Sequence, residues 1–255
     1  MWLSLTRRKI RPRCKNTTKL HGKTVIVTGG NTGIGKTTAL DLARRGARVI
    51  LACRDQQRAE AAIRDIRRES GNNEVVYMHL DLASLKSVRS FAETFLQTEP
   101  RLDLLINNAG IFMSGKTEDS FGMIFDVNHL GHFLLTLLLL ERLKESGPSR
   151  VVNVASKAHY FGTIDFNCLS THNELGVGTS GFEVFKLYSH SKLCNVLFTY
   201  ELAKRLQGTN VTCYSLHPGA VKTEIASLQE MCAKAKDDAV ARKLWEVSER
   251  LSGLV

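Results

Sequence analysis

The chain has 255 residues, 43% of them hydrophobic and 24% charged, with a formal net charge of +10 at pH 7. That length suits one α/β domain with a substantial core, and the composition is ordinary for a soluble globular protein. No run of about eighteen apolar residues occurs, which excludes a transmembrane helix; "FLLTLLLL" (133–140) is too short to span and reads as the buried middle of a core helix.

The charge is concentrated at the start. Arg7, Arg8, Lys9, Arg11, Arg13, Lys15, Lys19 and Lys23 carry eight of the ten excess positive charges, with no acid among residues 1–23. The rest of the chain is close to neutral, so no nucleic-acid partner is expected; beyond Trp2 no aromatic residue interleaves these charges. Residues 1–20 read as a basic leader: a solvated tail, a peripheral contact with an anionic membrane surface, or an import signal. Six cysteines are scattered without a C-x-x-C pair or a metal-like grouping with histidine, and "MWLSL" is too brief for a signal-peptide core. Reduced thiols follow, in the cytoplasm or on the cytosolic face of a membrane.

From residue 21 to 225, apolar β-rich runs alternate with amphipathic stretches. "TVIVTG" (24–29) predicts a strand, and "TGGNTGIG" (28–35) leads from it into a helix over 35–46. Gly29, Gly33 and Gly35 allow a tight turn and close approach of the backbone to a diphosphate, whose charge would face the helix N-terminus together with Asn31, Thr32 and Ile34. A second strand (47–54) ends "LACRD". There Arg54, with Lys36 behind the glycine loop, suits the 2′-phosphate of NADP, whereas Asp55 suits either the ribose hydroxyl of NAD or the N-cap of the next helix (56–70). The reading favours NADP over NAD.

The third strand (74–81) closes on Asp81, a candidate for the adenine amino group or a simple loop cap. After a helix over 84–97, the fourth strand (102–110) closes on "NNAG", where Asn107 and Asn108 form the turn and Asn108, Ala109 and Gly110 would let a ribose lie against the backbone. A helix over 118–145 contains Asn128, a poor helix former, which suits a helix break holding a water or a satisfied core amide; His129 and His132 read as packing or surface residues. The fifth strand (150–156) ends at Ser156, and a helix over 183–206 presents Tyr188 and Lys192 on one face. A sixth strand (210–219) ends "HPG", bringing Pro218, Gly219 and, just beyond, Val221 to the same edge. Strands that are apolar throughout imply burial on both faces, hence a doubly wound parallel sheet of Rossmann type in a single domain.

TGGNTGIG, NNAG, a strand-end serine, Y-x-x-x-K and HPG, in this order, resemble the short-chain dehydrogenase/reductase family. "ARRGARVILACRD" and "LDLASLKSVRSFA" resemble its retinol-dehydrogenase-like branch, over about residues 19–225 and again in a short C-terminal piece. The resemblance implies an NAD(P)-dependent oxidoreductase interconverting an apolar aldehyde or ketone, retinaldehyde-like, with its alcohol. Tyr188 would be the general acid/base, with Ser156 polarising the carbonyl. Lys192 would bind the nicotinamide ribose and lower the phenol's pKa, and Asn128 would complete a proton relay. No metal is implied. The pattern breaks after Gly219, because residues 226–255 read as a helical remnant in which the branch's substrate lid and last strand are shortened; the branch's hydrophobic N-terminal anchor is missing as well. A catalytically weak, cofactor-binding form acting as an interaction protein is therefore the alternative.

Overall fold

The computed structural model describes residues 16–166, 169, 180–218 and 233–255. Most of the leader, the expected boundary near 225, Gly219 and Val221 lie outside the described residues.

Six parallel strands form one sheet: β1 Thr24–Thr28, β2 Arg48–Cys53, β3 Val75–His79, β4 Leu104–Asn107, β5 Ser149–Val154 and β6 Val211–Leu216, in the order β3-β2-β1-β4-β5-β6. The doubly wound architecture read from the sequence is the one observed. β1 is apolar throughout because it is buried on both faces. Val25 and Val27 pack with Ala39, Ala43 and Ile63 of the first two helices, whereas Ile26 packs with Phe91, Phe95 and Phe133 on the other side. The chain order reverses between β1 and β4, so the crevice for a ligand lies beyond Thr28 and Asn107.

The helices are α1 Gly33–Arg44, α2 Gln56–Ser70, α3 Leu85–Thr98, α4 Met123–Phe125, α5 Gly131–Leu138, α6 Leu140–Ser146, α7 Gly181–Arg205 and α8 Asp238–Leu251. Local chemistry sets their ends. Asp55, Ser84, Ser180 and Asp237 cap α2, α3, α7 and α8 through their side chains, and Ser180 forms a capping box with Glu183. α2 stops at Gly71, in the left-handed conformation at φ 72°.

The single helix expected over 118–145 is instead broken twice. It starts at Met123, passes through a π-helical turn at Asp126–Leu130, and breaks at Leu139. Among the described residues no single helix is long and apolar enough to cross a membrane. The pair Met123–Leu138 and Leu140–Ser146, bent by 54°, is rich in apolar residues, and Phe133, Leu134 and Leu135 of it lie fully buried in the core. In the C-terminal piece, α8 packs on α7. Trp245 sits edge-on to Phe133 at 5.1 Å and against Phe198 at 5.9 Å, with the Arg205 guanidinium 4.3 Å over its ring.

Candidate active site

The crevice beyond the strand ends holds a cavity of about 390 Å³ lined by Ile34, Asn108, Gly110, Ile111, Phe112, Val154, Ala155, Tyr188, Lys192 and Pro218. Four of the five motifs, all but the strand-end serine, therefore contribute to its lining. Ser156 adjoins it and N-caps a 3-10 turn at Lys157–Phe161, its Oγ accepting from the Ala158 amide at 3.2 Å. The Ser156 side chain lies close enough to the Tyr188 phenol to favour its phenolate.

Tyr188 and Lys192 are one turn apart on α7, with the Lys192 Nζ 5.5 Å from the centre of the Tyr188 ring. Lys192 is only 3% exposed and donates to the Val154 carbonyl at 3.0 Å. Burial pushes its ammonium down to about 8. In the chain alone, burial raises Tyr188 above the ordinary tyrosine value and the nearby Ser156 offsets this only in part; the lowering expected from the sequence belongs to the complex with oxidised nucleotide. The lysine spends its strongest interaction on a backbone carbonyl, so desolvation of the phenol wins.

Asn128 sits in the π turn, fully buried. Its Oδ1 accepts from the Ile111 amide at 2.8 Å; its Nδ2 donates to the Ile111 carbonyl and to the Ser191 Oγ, each at 3.1 Å. The residue flagged as a poor helix former thus clamps the segment following β4. Gly110 packs beside it; a Cβ there would come within 3.4 Å of both the Asn128 Oδ1 and the Lys192 Nζ.

The glycine loop fits a diphosphate on two independent counts. Gly33 opens α1 at φ 54° with nothing within 4 Å of a built Cβ, whereas a Cβ on Gly35 would collide with the Gly29 carbonyl oxygen at 2.3 Å. Thr32 stands at the N-cap of α1, yet its side chain caps nothing, unlike the capping residues of α2, α3, α7 and α8. The first-turn amides of α1 are left to face an anion. Asn31 is half-buried on the same loop. Asn108 and Ala109 each donate an amide to the Thr28 Oγ1 at 2.9 Å, tying β4 to β1 beneath the crevice.

The residues expected to choose the nucleotide divide. Arg54 is free to turn, with a side chain 67% exposed and 4.0 Å from Asp81. Lys36 does not join it. Its Nζ is drawn to Asp65 of α2 at 2.7 Å, a carboxylate held low by this pairing. Asp55 accepts from the Arg58 amide at 2.9 Å, so it is the N-cap of α2. Replacing Asp55 by alanine is expected to cost about 1 kcal/mol of stability in a denaturant titration and to leave nucleotide preference unchanged. Asp81 caps its own loop, accepting from the Ala83 amide at 3.0 Å. Ile111, Phe112 and Ser191 are site residues the sequence reading missed; their position directly after NNAG, or beside Lys192, was the available signal.

A family model described as short chain dehydrogenase matches residues 23–171, more than half of the chain. The chain belongs to the short-chain dehydrogenase/reductase family. It is an oxidoreductase of the class that uses NAD(P). Dehydrogenase/reductase SDR family member 13 of Bos taurus is 46% identical over 95% of this chain and 76% of its own length. Retinol dehydrogenase 12 of Homo sapiens is 54% identical over 83% of this chain, which spans 66% of that relative. Among solved structures, an uncharacterized protein from Mycobacterium Paratuberculosis superposes with a TM-score of 0.78 at 36% identity, covering 92% of this chain and 95% of that one. The Pseudomonas aeruginosa RhlG/NADP active-site complex gives a TM-score of 0.63 at 27% identity, covering 80% of this chain and 74% of that one. The alignment with the Bos taurus relative runs over 293 positions, whereas 95% of this chain is about 242 residues. About fifty positions of the alignment, 293 less 242, therefore find no residue in this short-chain dehydrogenase.

Proposed function

We propose that the chain is an NADP-dependent carbonyl reductase and alcohol dehydrogenase acting on apolar, retinaldehyde-like aldehydes or ketones. The observation that carries this reading is the Tyr188 phenol one helical turn from a buried Lys192 and close to Ser156, at the wall of a cavity floored by the glycine loop and Asn108. Relatives named retinol dehydrogenases and a solved neighbour in complex with NADP favour the substrate and cofactor classes.

In this reading Gly29, Asn31, Thr32, Gly33, Ile34 and Gly35 cradle the diphosphate, and Arg54 binds the 2′-phosphate. Asp81 lies near the adenine, Asn108, Ala109 and Gly110 back a ribose, and Pro218, with Gly219 and Val221 outside the described residues, flanks the nicotinamide. When bound, NADP(H) supplies or accepts the hydride. Ser156 donates a hydrogen bond to the substrate oxygen, and Tyr188 gives that oxygen its proton in the reductive direction. Lys192 holds the nicotinamide ribose and returns a proton to Tyr188, with Asn128 completing the relay. Peripheral membrane contact through the basic leader belongs to the same proposal.

The test is NADPH and NADH consumption with retinaldehyde, medium-chain aldehydes and steroid ketones, alongside Arg54→Ala. Turnover with an apolar carbonyl is expected, and loss of Arg54 should weaken NADPH binding about 10-fold while sparing NADH. NADPH oxidation with none of these carbonyls would sink the proposal. Tight NADPH binding without turnover would favour a cofactor-binding interaction protein instead.

A further inference from the structure

We propose that His132 is a positioning residue that locks the Asn128 turn to the end of β1, holding the two halves of the site in one register. The inference rests on the reading above for its consequence in turnover, but its geometry stands alone.

Thr28, the last residue of β1, is fully buried at the point where the sheet order reverses. Its Oγ1 accepts from two amides, those of Asn108 and Ala109, both at 2.9 Å. A hydroxyl oxygen has two acceptor lone pairs, and these bonds use both. What remains is its own proton. Two acceptors lie in reach, the His132 Nε2 at 2.8 Å and the Ile106 carbonyl at 3.4 Å. The shorter contact takes it, so the Nε2 is the bare, accepting nitrogen. The imidazole is then neutral with its proton on Nδ1, and that proton faces the Asn128 carbonyl oxygen 3.4 Å away. His132 is 2% exposed, and burial pushes it down to about 3, so the ring stays neutral at every working pH.

The consequence follows from what Asn128 has left. Its side chain is fully engaged with Ile111 and Ser191, so its carbonyl is the group His132 can orient. The chain of bonds thus runs from the Asn108 and Ala109 amides on the crevice floor, through Thr28 and His132, to the turn below Tyr188 and Lys192. The backbone of His132 is held in turn. Its carbonyl accepts from the Thr136 hydroxyl at 2.7 Å, and Thr136 accepts from Asn107 of β4 at 2.9 Å. An apolar residue of the same volume would fill the space but leave the Thr28 proton only the longer contact with the Ile106 carbonyl at 3.4 Å, and would remove the link between the turn and β1.

Long-range nitrogen–proton NMR on chain labelled with ¹⁵N-histidine tests the geometry without any activity. His132 is expected as the Nδ1–H form, unchanged between about pH 5.5 and 8. An Nε2–H form, or titration in that range, would overturn the proposal. For the consequence, His132→Leu is expected to lower kcat ~10- to 100-fold with the NADPH Kd within about threefold. His132→Gln, whose amide oxygen can take the Thr28 proton but which has no donor at the Nδ1 position, should recover part of the loss. Equal loss in both variants, or a kcat in the leucine variant within about twofold of the parent, also overturns it. Should the leucine variant not fold, the spectrum of the parent chain still decides. A parent chain that turns over no carbonyl but shows the expected tautomer defeats the functional reading and leaves the lock standing.

Discussion

Replacing Tyr188 with phenylalanine is expected to cut kcat for carbonyl reduction ~10²- to 10⁴-fold, the range for loss of a general acid, while the NADPH Kd moves less than about threefold. The substitution removes one oxygen. The ring keeps its place on α7 and its edge contact with Phe112, whose centroid lies 5.2 Å away, so the cavity wall and thermal stability are preserved. The direction of the two shifts adds a pH signature. Burial holds the phenol above its ordinary value, so Tyr188 is protonated and ready to donate throughout the neutral range. Reduction should therefore be nearly flat from about pH 6 to 7 and decline as Lys192 loses its proton near 8, whereas alcohol oxidation, which needs the phenolate, should rise with pH. Steady-state rates in both directions, with parent and variant, check this. A variant with undiminished reduction, or oxidation fastest at acid pH, would rule the assignment out.

The fold was legible where local chemistry decides it. α2 runs over 56–70 as expected, because Asp55 begins it and Gly71 ends it, and five of the six strands fall inside the apolar runs that predict them, while β5 starts one residue early, at Ser149. Strand-end motifs were legible for the same reason: in a parallel doubly wound sheet every strand delivers its last residues to one edge, so NNAG, Ser156 and Pro218 converge there. What stayed hidden depends on partners far along the chain. Lys36 looks available beside the glycine loop, but Asp65, 29 residues on, takes it. His132 and His129 look like packing residues and are buried as such, yet each has a specific partner, Thr28 and Ser248, that lies 104 and 119 residues away. The Lys192–Tyr188 spacing predicts their proximity; it does not predict that burial would weaken the charge of one and raise the pKa of the other.

Asp126→Asn is expected to stabilise the protein, increasingly so as pH rises from about 4 to 7. Asp126 begins the π turn and is 0% exposed, with neither carboxylate oxygen in hydrogen-bonding geometry with a partner. Burial dominates and pushes the carboxyl up to about 7, and the nearby Asp119, Asp81 and Glu118 push the same way. The Thr117 hydroxyl, which favours the carboxylate, also reaches the Phe121 carbonyl at 3.4 Å and offsets little. In the unfolded chain the same group titrates near 3.9, so between these values the folded state binds the extra proton. Stability from this residue is therefore complete below about pH 4, falls as pH rises through 7, and is level above. Three pKa units correspond to about 4 kcal/mol at most. Asparagine keeps the shape and never ionises, so parent and variant should melt together at pH 4 and separate by several degrees, on the order of 10 °C at most, at pH 7.5. Thermal melts at the two pH values measure the gap directly. A variant less stable than the parent at pH 7.5, or a gap that does not change with pH, would mean that the carboxylate is paired when the protein is folded. The buried acid would then be a stabilising part of the turn that carries Asn128 instead of a cost the turn bears.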